Sequence, residues 1–327
     1  MSFSPAPMHV PDGFLSVWVS ILLWALSVAA VGYALRRVGE DLGERQAPVM
    51  GVLAAAIFAG QMLNFTVAGG TSGHLMGAAL ATILLGPWAA LLVMTSVVGI
   101  QAVVFQDGGL LALGANIFNM GVVGVAVSHF TYRTLQRLLT RGAESRSWVA
   151  PVSGFVAGWL SILIASLTCA LQLALSGSSP ANVAVPAMGG IHALIGVGEG
   201  LITAGALAFV LAARPDLLRP AVAAAGSHRA VWIGGLVIAV LLAVISPLAS
   251  AHPDGLEWVA EQRGFLHLAQ DPLYEIIPDY VLPGVANEAL ATILAGVVGL
   301  ALVLGATLAV ATARRRARSA RECAPSS

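Results

Sequence analysis

Lysine is missing from this chain: all 16 basic residues among its 327 are arginine. A Walker-type phosphate loop needs a lysine to reach the nucleotide phosphates. The sequence therefore offers no such site, and any ATP dependence has to come from a partner. Cysteine is scarce as well. Cys169 lies inside an apolar run and Cys323 in the tail, so neither a disulfide framework nor a zinc cluster has a basis. No HExxH pattern occurs, and no nucleophile stands beside a candidate base, which argues against an intramembrane metalloenzyme. No basic stretch precedes the first apolar run, so no cleavable signal peptide is expected. Charge of either sign is sparse, at 10 % of residues against about 25 % in soluble domains.

Apolar residues fill the space that charge leaves, at 58 % of the chain, with mean hydropathy +0.87. Runs repeatedly approach the ~20 residues that a helix needs to cross a bilayer. Hydrocarbon offers no water to unpaired backbone groups, so such runs form helices or closed barrels. They are rich in Leu, Ala and Val without period-two alternation, which selects helices. The expected fold is an all-α polytopic membrane protein with about nine transmembrane helices. They fall at residues 15–35, 48–65, 74–87, 88–106, 110–135, 149–174, 191–213, 230–250 and 286–312. The third is short and glycine-rich, and reads as a crossing, a broken helix or a re-entrant segment.

The arginines test that count. If the N-terminus lies outside, the inner loops hold Arg36, Arg37, Arg45, Arg133, Arg137, Arg141, Arg146, Arg214, Arg219 and Arg229. The tail adds Arg314, Arg315, Arg316, Arg318 and Arg321, leaving only Arg263 outside, so fifteen of sixteen share one side. Cytoplasmic loops carry such an excess. The chain is therefore expected in the cell inner or plasma membrane, N-terminus outside and C-terminus cytoplasmic. Five segments then face outward: residues 1–14, 68–73, 106–109, 176–190 and 252–283. The last holds Asp254, Glu257, Glu261, Asp271, Glu275 and Asp279 against one arginine, a surface that concentrates cations. A solvated loop that merely avoids arginine would look the same. Residues 1–213 form a seven-span unit, 214–229 a cytoplasmic linker rich in Pro, Arg, Ala and Gly, and 230–327 a two-span unit.

Met8-His9-Val10-Pro11-Asp12-Gly13-Phe14 carries the most chemistry. If translation starts at Met8, a free α-amine precedes a histidine. The amine, the deprotonated His9 amide and the ring Nδ1 then close fused chelate rings of five and six members, three nearly coplanar nitrogens. A fourth nitrogen completes a square plane, the geometry of Ni(II) or Cu(II), which low-spin Co(II) also accepts. Mg²⁺ and Ca²⁺ prefer oxygen. Pro11-Asp12-Gly13 reads as a tight turn. The fourth ligand is His74, at the end of Gly69-Gly70-Thr71-Ser72-Gly73, on the same side of the membrane. Gln61 and Asn64, three apart, are expected on one helix face to orient the histidines, together with Ser72. A lone interfacial histidine is ordinarily just a polar residue at headgroup depth; two of them, one beside a candidate terminus, shift the balance towards metal.

Met8-His9-Val10-Pro11-Asp12-Gly13-Phe14-Leu15-Ser16 resembles the start of the CbiM/NikM family. So do Gly60-Gln61-Met62-Leu63-Asn64-Phe65 and Gly69-Gly70-Thr71-Ser72-Gly73-His74-Leu75. These are substrate-specific components of energy-coupling-factor (ECF) transporters, of the ABC class, for cobalt and nickel. The resemblance covers residues 8–213. It implies a square-planar site from Met8, His9 and His74, no catalytic residues and no permanent cofactor. The cargo would be Ni²⁺ or Co²⁺, and the partners a membrane coupling component and cytoplasmic ATPase subunits. Residues 1–7 depart from the family pattern, because an extension turns the Met8 amine into an amide. The stretch His252-Pro253-Asp254-Gly255-Leu256-Glu257-Trp258, with Pro278-Asp279-Tyr280, resembles a PDGLE-type, NikN-like small subunit fused behind the binding component. That leans towards nickel.

His192 and Glu199 are seven apart, share a face of the seventh span and count as further site candidates, since ionisable groups within spans usually serve function. His129, His228 and His267 read as structural. A self-sufficient secondary carrier is the alternative class, although internal repeats and midplane charges are largely missing.

Overall fold

The computed structural model of the chain describes residues 9–41, 46–140, 146–218 and 228–322. Met8, the first seven residues and linker residues 219–227 lie outside the described residues. The helices are α1 (Val17–Asp41), α2 (Gln46–Gln61), α3 (Ala78–Leu85), α4 (Pro87–Val104) and α5 (Leu113–Leu139). After them come α6 (Val149–Ser176), α7 (Ala181–Ala213), α8 (His228–Ile245), α9 (Gly255–Arg263) and α10 (Glu288–Glu322). Two short strands, β1 (Phe65–Thr66) and β2 (Ser72–Gly73), pair antiparallel with Phe65 opposite Gly73.

The architecture is helical, as expected. The nine expected spans resolve differently. Among the described residues six helices are long and apolar enough to cross a membrane, and Pro48–Gln61 and Trp232–Leu248 are shorter apolar helices. The third segment is neither a full helix nor a loop. Residues 74–77 are irregular and only Ala78–Leu85 is helical. At about 1.5 Å per helical residue α3 covers roughly 12 Å, well short of a bilayer's hydrocarbon core. Left-handed Gly77 (φ 80°) makes the change of conformation, where a Cβ would meet Ile57 Cγ2 at 2.7 Å.

The seventh span begins ten residues earlier than expected, at Ala181, so most of residues 176–190 is helix and not loop. Ser178, Ser179, Pro180, Pro186, Gly189 and Gly190 look like a chain of breakers. The turn is in fact confined to left-handed Gly177 and extended Pro180 (ψ 146°). Pro186 sits early in α7, where only the first turn of the helix precedes it. α6 and α7 form the most extensive helix pair. Small residues bring their backbones together. At Gly200 a Cβ would stand 2.9 Å from the Phe155 carbonyl oxygen.

α8 and α10 both pack on α2, so the C-terminal unit leans against the second helix of the first unit. Outer faces of α1, α7 and α8 leave large apolar side chains such as Trp18, Leu201, Phe209 and Leu241 uncovered. That is the expected surface of a bundle facing lipid.

Candidate metal site at the N-terminal segment

Every residue from His9 to Phe14 that has a polar group to spare is tied down. Asn116 clasps Val10 from both sides. Its Oδ1 accepts from the Val10 N–H at 3.0 Å, and its Nδ2 donates to the Val10 carbonyl at 3.1 Å. Asp12 accepts from the Ala112 N–H at 2.9 Å, and its carbonyl accepts from Gln270 N–H at 2.8 Å. Ser178 donates to the Phe14 carbonyl at 2.5 Å. Gly13, at φ 92°, makes the turn read from the sequence.

His9 is buried at 4 % exposure, against Asp107. Oδ1 of Asp107 accepts from the His9 N–H at 3.2 Å and stands 3.1 Å from Nδ1, leaving Nε2 as the ring atom without a hydrogen-bond partner. Burial pulls the His9 ring towards its neutral form. The Asp107 charge and hydrogen bonds outweigh that pull and hold its pKa above the usual 6.5. Oδ2 of Asp107 accepts from the Tyr280 hydroxyl at 2.6 Å. A residue of the C-terminal unit thus holds the carboxylate that holds His9. The chain reaches this contact through left-handed backbone at Asp279 and Tyr280 (φ 51° and 57°).

His74 meets His9 edge to face, with ring centroids 5.7 Å apart and planes at 82°. Its Nδ1 donates to the Leu75 carbonyl at 3.0 Å, the tautomer that leaves Nε2 as the basic nitrogen. The strand behind it is fixed at Met76. Glu199 accepts from the Met76 and Gly77 N–H groups at 2.7 and 3.1 Å, and Gln61 Nε2 donates to the Met76 carbonyl at 2.8 Å. Glu199 and Gln61 therefore hold the backbone two residues beyond His74. Ser72 faces away. Its hydroxyl donates to the His252 carbonyl at 2.8 Å, and its N–H to that of Pro253 at 2.8 Å.

Asn64 departs from expectation. α2 ends at Gln61, so the two do not share a helix face, and the Asn64 carbonyl instead accepts from Ser250 N–H at 2.8 Å. β1 begins at Phe65, so the chain has already left the helix at residue 64.

A cavity of about 90 Å³ brings together His9, His74, His192, Cys169, Asn119 and Asp254. His192 donates from Nδ1 to the Met188 carbonyl at 2.8 Å, as ligating histidines commonly do. A second cavity of about 180 Å³ meets it at His9 and is lined on its other walls by Asp12, Glu257, Asp271 and Tyr274. Burial pushes the Asp254 carboxyl up to about 8, against the lowering effect of its bond from Glu257 N–H. Burial pushes Glu257 up to about 7, with Glu261 adding to it. Among the described residues no three His, Cys, Asp or Glu side chains group to hold a metal by themselves. Sequence reasoning missed Asp107, Asn116, Asp254 and Tyr280. For Asp107 the one signal was an acid in a turn, Gln106–Gly109, already placed on the outward side.

Residues 9–217 match the family described as "Cobalt uptake substrate-specific transmembrane region", and residues 229–316 match the PDGLE domain. A putative fused nickel transport protein NikMN of Archaeoglobus fulgidus is 40 % identical over 313 residues, covering 95 % of this chain and 100 % of that protein. The fused nickel transport protein NikMN of Rhodobacter capsulatus is 32 % identical, covering 91 % of this chain and 95 % of its own. The cobalt transport protein CbiM of Sorangium cellulosum is 36 % identical but covers only 64 % of this chain. A crystal structure described as a transition metal transporter superposes with TM-score 0.55 at 32 % identity, over 63 % of this chain and 93 % of the other.

Proposed function

Because the chain belongs to the cobalt-uptake substrate-specific transmembrane family and carries a PDGLE domain behind it, we propose that it captures nickel or cobalt from outside the cell. It does so as the binding subunit of an energy-coupling-factor transporter. The observation that carries this reading is the meeting of His9 and His74, 65 residues apart in sequence and 5.7 Å apart between ring centroids, on one small cavity. The ion is held by the Met8 amine, the His9 amide and ring, and His74. Asp107 stands against the His9 Nδ1, so an arriving ion displaces that contact or turns the ring. The two relatives above that align along nearly the whole chain have nickel in their names, which makes nickel the first ion to test.

The chain performs no chemistry of its own. With no lysine it lacks a P-loop, and separate ATPase subunits with a membrane coupling subunit supply the energy. The arginine distribution puts the N-terminus and the site outside and the C-terminus in the cytoplasm. In right-side-out membrane vesicles the chain alone should bind Ni²⁺ from the outer solution, at about one ion per chain, and hydrolyse no ATP. Binding only from the inner side, or metal-stimulated hydrolysis by a homogeneous preparation, would contradict this division of labour.

A further inference from the structure

The stretch His252-Pro253-Asp254-Gly255-Leu256-Glu257-Trp258 is the motif that metal capture by the first unit leaves unexplained, and the structure gives its residues a place at the site. The Pro253 carbonyl accepts from the Ser72 N–H at 2.8 Å and from the Thr71 hydroxyl at 3.2 Å. The His252 carbonyl takes the Ser72 hydroxyl, and Trp258 Nε1 donates to the Gly69 carbonyl at 3.2 Å. The motif is thus laced along the glycine-rich loop that ends in His74. Gly255 lies flat on His192, where a Cβ would stand 2.9 Å from Cε1 and 2.6 Å from Ile195 Cδ1. Glu257 lines the outer cavity, and Leu256 lines both cavities.

Asp254 is the informative residue. One of its oxygens caps α9, accepting from the Glu257 N–H at 2.7 Å. The side chain is 4 % exposed, and it lines the same cavity as His9 and His74. Capping alone would be served equally well at the surface by serine or asparagine. A carboxylate taken out of water is costly unless a cation or donors compensate it. Four nitrogens in a plane leave the directions above and below the ion open, and an oxygen donor can take one of them.

We propose that residues 252–258 form the wall that closes the metal pocket, and that Asp254 gives the bound divalent transition ion a fifth, oxygen donor from the C-terminal unit. This rests on the reading of His9 and His74 as ligands. The site is then shared between the two units, and the second unit helps set affinity and coordination geometry.

The test uses the full-length protein with Ni²⁺ and Co²⁺ themselves as probes. Asp254→Asn and Asp254→Ser both keep a capping side chain on α9 and remove the carboxylate. Each should weaken Ni²⁺ binding about tenfold, the scale of losing one supporting group at a metal site. Each should also change the visible absorption of the Co²⁺ form, as one oxygen leaves the coordination shell. Wild-type affinity and an unchanged spectrum in a folded variant of either kind would overturn the proposal. His74→Ala, measured alongside, separates the failures. If His74→Ala abolishes binding while both Asp254 variants bind as wild type, the Asp254 role is wrong and the nitrogen site stands. If His74→Ala binds normally, the underlying site is wrong.

Discussion

Replacing His74 by alanine, or His9 by alanine, should nearly abolish Ni²⁺ or Co²⁺ uptake while the protein remains in the membrane. Each change removes one nitrogen from a set of four, and at His9 it removes the ring that closes the second chelate. A loss of about 10- to 100-fold in affinity is expected from disturbing even a supporting group at a metal site, and removing a ligand should exceed it. The two variants differ in their side effects. His74 is partly exposed and its Nδ1 donates to the next residue's carbonyl. His9 is buried on Asp107, although Asp107 keeps its bond from Tyr280 when the ring is gone. Size-exclusion profiles and membrane content therefore accompany the uptake assay. His129→Ala is the control. That ring packs on Phe130, away from both cavities, and its loss should be mild. Normal uptake at limiting metal by both His9→Ala and His74→Ala would mean that the site lies elsewhere, with the face bearing His192 and Glu199 the next place to look.

Glu199→Ala should be the most destabilising single change in the first unit. The carboxylate is fully buried and is the acceptor for two backbone N–H groups, those of Met76 and Gly77. Removing it leaves both donors unsatisfied at about 1–3 kcal/mol each, in a bundle interior with no water to replace the bonds. A loss of about 3 kcal/mol follows, which corresponds to a fall in thermal midpoint of roughly 6–12 °C. Because Met76 is two residues from His74, metal binding should weaken in the same variant. Glu199→Gln keeps one acceptor oxygen but turns an NH₂ towards the other N–H, so it should fall between. Thermal unfolding in detergent, followed beside Ni²⁺ binding, checks both effects. An alanine variant as stable as the wild type would show that α7 does not hold the His74 segment.

What the sequence made legible was local. The spacing of apolar runs marked the helical architecture, and Met8-His9 and the glycine loop before His74 marked the candidate ligands without any contact being known. The errors were local too. The breaker-like residues from Ser178 to Gly190 hid ten residues of helix, because the turn needs only Gly177 to Pro180. Asn64 was assigned to a helix that ends three residues earlier. The residues that stayed invisible act across long separations. Asp107 meets His9 from 98 residues away, and Tyr280 meets Asp107 from 173. Nothing in a local pattern marks such pairs. Asp254 was visible as one acid among six in an outward stretch and as part of the PDGLE-like run, with nothing to place it at the metal site. Its burial beside His9 and His74 depends on residues 252–253 pairing with Thr71 and Ser72, which only the folded chain reveals.

The central claim is that a free amine at Met8 joins His9 and His74 on the ion. It is tested most directly by comparing nickel bound per chain in two preparations whose N-termini have been fixed by mass spectrometry. One begins at Met8 and the other retains residues 1–7. The protein beginning at Met8 should hold about one Ni²⁺ through an approach to equilibrium that leaves the extended form largely empty, since an amide in place of the amine removes one of four donors. Equal nickel content and equal affinity in the two preparations would contradict the claim, and with it the square-planar site.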